Sequence, residues 1–214
     1  MTVTQISAQE LFRAAYQNRY TWDENFPGYS ADITYKYDGQ VFTGKIRIDA
    51  NLKWEVLQIE DLLAKKAIEG QVWEIAVHRV RRSFEQTHGE NTFTYGETDE
   101  TGAVEIFLGG KSAGDKYKVR NDVVTLVHRH IHGVVVTINT FSIHETGAGY
   151  LSNTYDAVYH DPQTGIQKGG LSEFTDEYEK VGNYYILNRR EIRTETDGNL
   201  SVQEFIFSNL ELLG

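Results

Sequence analysis

Residues 29–49 read "YSADITYKYDGQVFTGKIRID". In the first half Ala31, Ile33, Tyr35 and Tyr37 fall on one side, and Asp32, Thr34, Lys36 and Asp38 on the other. A repeat of two is the period of an extended strand, whose side chains point alternately to opposite faces. Asp38-Gly39 follows, a pair that readily takes the positive φ angles of a two-residue hairpin turn. The return stretch puts Phe42, Ile46 and Ile48 on one face. Two alternating strands joined by a tight turn predict an antiparallel hairpin with one wet face.

The same grammar governs the chain from residue 91 onward. "DETG" (99–102), "RND" (120–122), "DPQTG" (161–165), "KVGN" (180–183) and "TDGN" (196–199) are turn material between apolar or alternating runs. Short connections between such runs predict a meander over about 91–212, paired antiparallel. Three helical stretches interrupt this pattern. In "SAQELFRAAYQNRY", Ser7 and Glu10 have capping-box spacing, and Leu11, Phe12, Ala15 and Tyr16 recur at helical period, which predicts a helix over about 7–19. Ile59, Leu62, Leu63 and Ala67 form one helical stripe, with Gly70 as terminator. Val72, Ile75, Ala76 and Val80 continue it, so helices are predicted over about 57–86 as a pair or as one helix broken near Gly70. The expected fold is mainly β (α+β). A single domain, 1–214, holds a large curved antiparallel sheet or half-barrel meander with about three helices packed on one face.

Composition narrows the function. The chain has 214 residues, a net charge of −10 and no cysteine. An acidic surface repels phosphate backbones, so nucleic acid is not an expected partner. Without cysteine there is no disulfide, thiol catalysis or Cys-ligated zinc. The basic run "HRVRRS", with Arg79, Arg81 and Arg82, reads as a solvated helix face ahead of an anion site. "MTVTQISAQELF" lacks the basic and apolar regions of a secretory signal, and no apolar run reaches membrane-span length. A soluble, cytoplasmic protein is expected.

Two stretches carry a resemblance. "VRNDVVTLVHRHIHGVVVTINTF" and "YEKVGNYYILNRREIRTE" with the later "FIFSNLEL" resemble an uncharacterised family found mainly in cyanobacteria, with relatives in photosynthetic eukaryotes. The likeness covers nearly the whole chain and implies no known reaction. More distantly, the order helix, hairpin, helices, long meander is similar to the lipoprotein-carrier (LolA-like) half-barrel. That likeness implies a space for acyl chains between a curved sheet and its helices.

The residues that invite chemistry are His128, His130 and His132, in "LVHRHIHGVVVTIN" (126–139). Read as a hairpin turning at His132-Gly133, the stretch pairs Ile131 with Val134, His130 with Val135 and His128 with Thr137. Gly133 then needs positive φ. Alternate residues on a strand lie about 6.6 Å apart, so His128 and His130 are within reach of one metal ion, while His132, about 13 Å from His128, is not. A protein metal site needs at least three ligands, so a polar sheet face explains the pair with fewer assumptions than a metal-dependent enzyme. His78, His88, His160 or an acid would have to complete such a site. No G-x-S-x-G elbow, H-E-x-x-H or phosphate-binding loop is present, and no catalytic residue or cofactor is expected. The remaining candidates are aromatic. Tyr35, Tyr37, Phe42, Trp73, Phe107 and Tyr185 are expected to line a cavity between sheet and helices, with a lipid-like small molecule as partner. Without such a cavity, the same rings suit a protein-interaction scaffold. The sequence is silent on oligomeric state.

Overall fold

The structure is a computed structural model that describes residues 6–214. Residues 1–5, part of the stretch read for a secretory signal, lie outside the described residues. In chain order the elements are α1 (Ala8–Gln17), β1 (Gly28–Tyr37), β2 (Gln40–Asp49), β3 (Trp54–Leu57), α2 (Leu62–Arg79), α3 (Phe84–His88), β4 (Asn91–Thr98), β5 (Val104–Gly110), β6 (Lys116–Arg120), β7 (Val123–Ile131), β8 (Val134–Glu145), β9 (Tyr150–His160), β10 (Gln167–Val181), β11 (Tyr184–Thr196) and β12 (Asn199–Leu212). The fold is mainly β: among the described residues, twelve strands and three helices. No described helix is long and apolar enough to cross a membrane.

The chain divides into two compact units. The first holds residues up to Arg19 and Arg82–Ser172, and the second holds Tyr20–Arg81 and Glu173–Gly214. In the first, strands follow the order β9-β8-β7-β6-β5-β4, and in the second β3-β2-β1-β12-β11. β10 crosses the boundary and contributes to both.

Local chemistry explains the first unit. Ser7 caps α1: its hydroxyl accepts from the Glu10 amide while the Glu10 carboxylate accepts from the Ser7 amide. The helix buries Ala8, Phe12, Ala15 and Tyr16 against Ile106, Leu108, Tyr117, Val119, Val124 and Phe84. Phe12 is central, its ring centroid 4.5 Å from that of Tyr117. Its burial stabilises the unit by about 1.5–3 kcal/mol.

The second unit is built on the opening hairpin. Tyr37 pairs with Gln40 and Gly28 with Asp49, with Asp38 and Gly39 at φ 50° and 72°. Two successive positive φ angles define the turn whose twist matches a hairpin. Tyr29, Ala31, Ile33 and Tyr35 are buried, as are Ile46 and Ile48. β12 closes the other side of β1, with Phe205 opposite Tyr35 and Phe207 opposite Ile33.

The helical region departs from expectation in three ways. Gly70 does not end a helix, because α2 runs through it without a break. The break comes at Val80, whose backbone is extended, and Ser83 then caps α3 with Gln86 in a second capping box. The stripe of Leu62 and Leu63 is not the buried one: α2 buries Ala64, Ile68, Val72, Ile75 and Ala76 instead. A helix apolar on two sides has no unique amphipathic face, so periodicity chose the wrong one. Finally, "WEVL" (54–57) forms β3, paired to β2 from Ile48↔Trp54 to Lys45↔Leu57. Four residues are too few for a period to show.

Candidate functional site

The most distinctive arrangement lies on the helix-facing side of the second unit. Phe42 on β2 is directly opposite Tyr35 on β1, Tyr35 is opposite Phe205 on β12, and Phe205 is opposite Arg190 on β11. Directly opposed residues share a face, so the four side chains form one row across four strands. The Tyr35 ring lies 5.9 Å from Phe42, 4.6 Å from Phe205 and 6.3 Å from Tyr37, with interplanar angles of 24°, 19° and 5°. These near-parallel, offset rings tile a wall. The Tyr35 hydroxyl donates to Gln203 Oε1 at 2.8 Å, and burial pushes its pKa up to about 12. Tyr35 and Phe205 are buried, whereas Tyr37 is 43% exposed at the rim.

At the Phe42 end the wall meets an open cleft of about 530 Å³, lined by Val41, Phe42, Thr43, Gln58, Ile59, Glu60 and Asp61. Two backbone features build it. Gln58 takes φ 62°, a left-handed pivot that turns the chain after β3. Gly44 sits where a Cβ would fall 2.5 Å from the Leu57 carbonyl and 2.7 Å from Ile59 Cδ1. Only glycine lets Ile59 lie over β2 there, next to Phe42. The cleft therefore combines apolar Val41, Phe42 and Ile59 with polar Thr43 and Gln58 and the two carboxylates of Glu60 and Asp61.

At the other end the wall meets charge. Arg190 is 7% exposed and Asp176 1% exposed. Arg190 donates from Nε and Nη2 to the two Asp176 oxygens at 2.7 and 2.5 Å. Its Nη1 donates to Gln71 Oε1 at 2.8 Å and to Glu74 Oε2 at 3.2 Å, both on α2. Burial raises the Glu74 carboxyl above its ordinary value, against the pull of Arg190. The Tyr178 hydroxyl donates to Asp176 Oδ2 at 3.3 Å, and burial raises its pKa also. A forked guanidinium–carboxylate pair with further amide and carboxylate partners is the form in which buried charge is tolerated. The pair ties α2 to β10 and β11. It bears no mark in the sequence, because Gln71, Glu74, Asp176 and Arg190 show neither motif nor spacing.

The expected aromatic set is brought together in part. Tyr35, Tyr37 and Phe42 meet in the wall. Tyr185 belongs to the same unit but packs on Tyr20, at 5.8 Å, and its amide donates to the Tyr20 hydroxyl. Trp73 lies on the outer side of α2, 49% exposed. Phe107 is in the first unit on β5, 42% exposed, with the Lys116 ammonium 6.0 Å from its ring centre. Sequence reasoning missed Phe205, Ile59 and Gly44. The alternation around Phe205 was a usable signal, but its place opposite Tyr35 depends on pairing strands about 170 residues apart.

The histidine hairpin forms with the expected register: Ile131↔Val134, His130↔Val135 and His128↔Thr137. His132 and Gly133 take φ 49° and 77°. The rings of His128 and His130 lie 6.0 Å apart. His128 Nδ1 is 2.9 Å from Thr137 Oγ1. Buried Asp115 accepts from the His130 amide at 2.8 Å and sits 3.1 Å from His130 Nδ1. Burial lowers the pKa of His128, helped by Lys116. Among the described residues no group of three or more His, Asp or Glu side chains is placed to hold a metal ion. As built, the two imidazoles tie β7 to β8 and to the turn before β6.

Three solved structures that the chain is similar to are a LolA superfamily protein of Nitrosomonas europaea, a putative outer membrane lipoprotein-sorting protein domain of Vibrio parahaemolyticus and a DUF1329 family protein of Desulfovibrio piger. Their identities are 9%, 10% and 8%, with TM-scores of 0.35, 0.32 and 0.28. The matches cover 98%, 96% and 96% of this chain and 95%, 92% and 91% of theirs. Similarity of that size carries no argument about function. No curated protein matches the sequence. A family model described as a protein of unknown function matches residues 3–213.

Proposed function

The chain belongs to the DUF3386 family, and since membership brings no activity with it, we propose from the geometry that it is a noncatalytic binding protein for an apolar or amphipathic small molecule. The observation that carries this reading is the open cleft beside Ile59, floored by Phe42, the end ring of a stacked row whose other members, Tyr35 and Phe205, are buried behind it. An apolar chain lies along Phe42 and Ile59, and an uncharged hydrogen-bonding end meets Thr43, Gln58, Glu60 or Asp61 at the rim. Ligand sites commonly combine an apolar lining with a few placed polar groups. Titration with a fluorescent polyene alcohol, uncharged at the end that meets Glu60 and Asp61, tests the reading. Saturable binding is expected in the wild type, weakened about tenfold in Phe42→Ala, where a ring contact worth about 1.4 kcal/mol is lost. Trp73→Ala, outside the wall, serves as the control and is expected to bind like the wild type. No saturable binding, or equal loss in the control, would remove the cleft as the site.

A further inference from the structure

The outer side of α2 shows a pattern that the monomer does not use. Leu63, Lys66, Gly70, Trp73 and Val77 recur at spacings of three and four, the seam of a helix pair. They lie opposite the buried face of Ala64, Ile68, Val72 and Ile75. Leu62 and Leu63 are 79% and 81% exposed. Gly70 stands at the middle of the seam. A Cβ there would meet nothing within 4 Å, and the residue lies inside the helix. Neither crowding nor a left-handed backbone calls for glycine, which costs a helix interior about 1 kcal/mol relative to alanine. A glycine on such a face permits close approach by another backbone.

We propose that this face docks on the same face of a second copy of the chain, with the two α2 helices antiparallel. Charge selects the orientation. Lys66 is exposed on this face and Glu69 follows three residues later, one turn along the helix, while Glu74 is already held by Arg190. A parallel pair sets Lys66 beside Lys66. An antiparallel pair sets Lys66 of each copy beside Glu69 of the other and opposes the helix dipoles favourably. In that layering Leu63 packs on Trp73 of the other copy, and the Lys66 stem crosses its Gly70. The interface uses other residues than the aromatic wall and stands whether or not the cleft binds a ligand.

Sedimentation equilibrium of the full chain from about 1 to about 200 μM tests this by mass action. The mass is expected to rise from one chain toward two. Leu63→Glu, at a position too exposed to disturb the fold, is expected to hold the chain monomeric. Lys66→Glu is expected to weaken association about tenfold, since each charge acts twice in a symmetric pair, and Lys66→Glu/Glu69→Lys to restore it. Gly70→Ala separates the proposal from a merely structural role: it is expected to raise the Tm of the monomer and to weaken the dimer, two effects of opposite sign. A single-chain mass across the range, or a dimer indifferent to Leu63→Glu and Gly70→Ala, would overturn the proposal. So would a monomer that sediments with phosphatidylcholine vesicles and loses that property in Leu63→Glu, which would assign the face to a bilayer.

Discussion

Mild acid is expected to weaken the first unit through one side chain, His88. The residue is 5% exposed at the end of α3. Phe12 and Tyr16 meet its ring edge-on at 5.0 Å, and Phe84, Phe93 and Tyr117 complete the enclosure. Asn91 Nδ2 lies 3.2 Å from His88 Nδ1. Burial among these rings lowers the pKa from 6.5 to about 4; Arg129 and Arg19 add to the effect and Asp115 opposes it. The unfolded chain therefore takes up a proton near pH 6.5, and the folded chain not until about pH 4. The resulting stability is fully present above pH 6.5 and is lost progressively as pH falls toward 4. At 1.36 kcal/mol per pKa unit the full loss is about 3 kcal/mol, of which roughly 2 kcal/mol is gone by pH 5. His88→Phe keeps an aromatic ring and removes the titration. Other groups titrate alike in both proteins, so the difference between their pH profiles isolates His88. Tryptophan fluorescence is the wrong probe, because Trp22, Trp54 and Trp73 all belong to the second unit. Amide hydrogen exchange in α1 and β6 reports on the correct one. Between pH 7 and 5 the wild type is expected to lose about 2 kcal/mol more protection than the variant. Equal losses in the two proteins would refute the argument.

Two further outcomes follow from buried charge and backbone geometry. Arg190→Met strands the Asp176 carboxylate in the second unit and is expected to cost about 3–5 kcal/mol in urea unfolding followed by tryptophan fluorescence, whereas Arg190→Met/Asp176→Leu recovers most of it; a double variant as unstable as the single one would mean that the pair is not the determinant. Gly133 has φ 77° and open space around its Cα, so Gly133→Val is expected to cost about 1 kcal/mol or more through strain alone and Gly133→Asn clearly less; equal midpoints for the two variants would contradict the assigned cause.

What the sequence determined by itself was everything written in short-range terms. Alternation over 29–37 and 40–49, with Asp38-Gly39 between, specified a hairpin and its register, because a two-residue turn leaves no freedom in how its strands meet. His132-Gly133 did the same for β7 and β8, and Ser7 with Glu10 marked the start of α1. The tertiary structure decided what depends on distant partners. Helix α2 carries apolar residues on two sides, and only the sheet it lies on determines that Ile68 and Val72 are buried while Leu63 and Trp73 face outward. The row from Phe42 to Arg190 joins strands separated by more than a hundred residues, so no window of sequence contains it. The same limit hid the Arg190–Asp176 pair and left Phe107 in a different unit from Tyr35. Side-chain period assigns a residue to a face of its own strand, but which other faces it meets is set by long-range pairing, and that information is distributed over the whole chain.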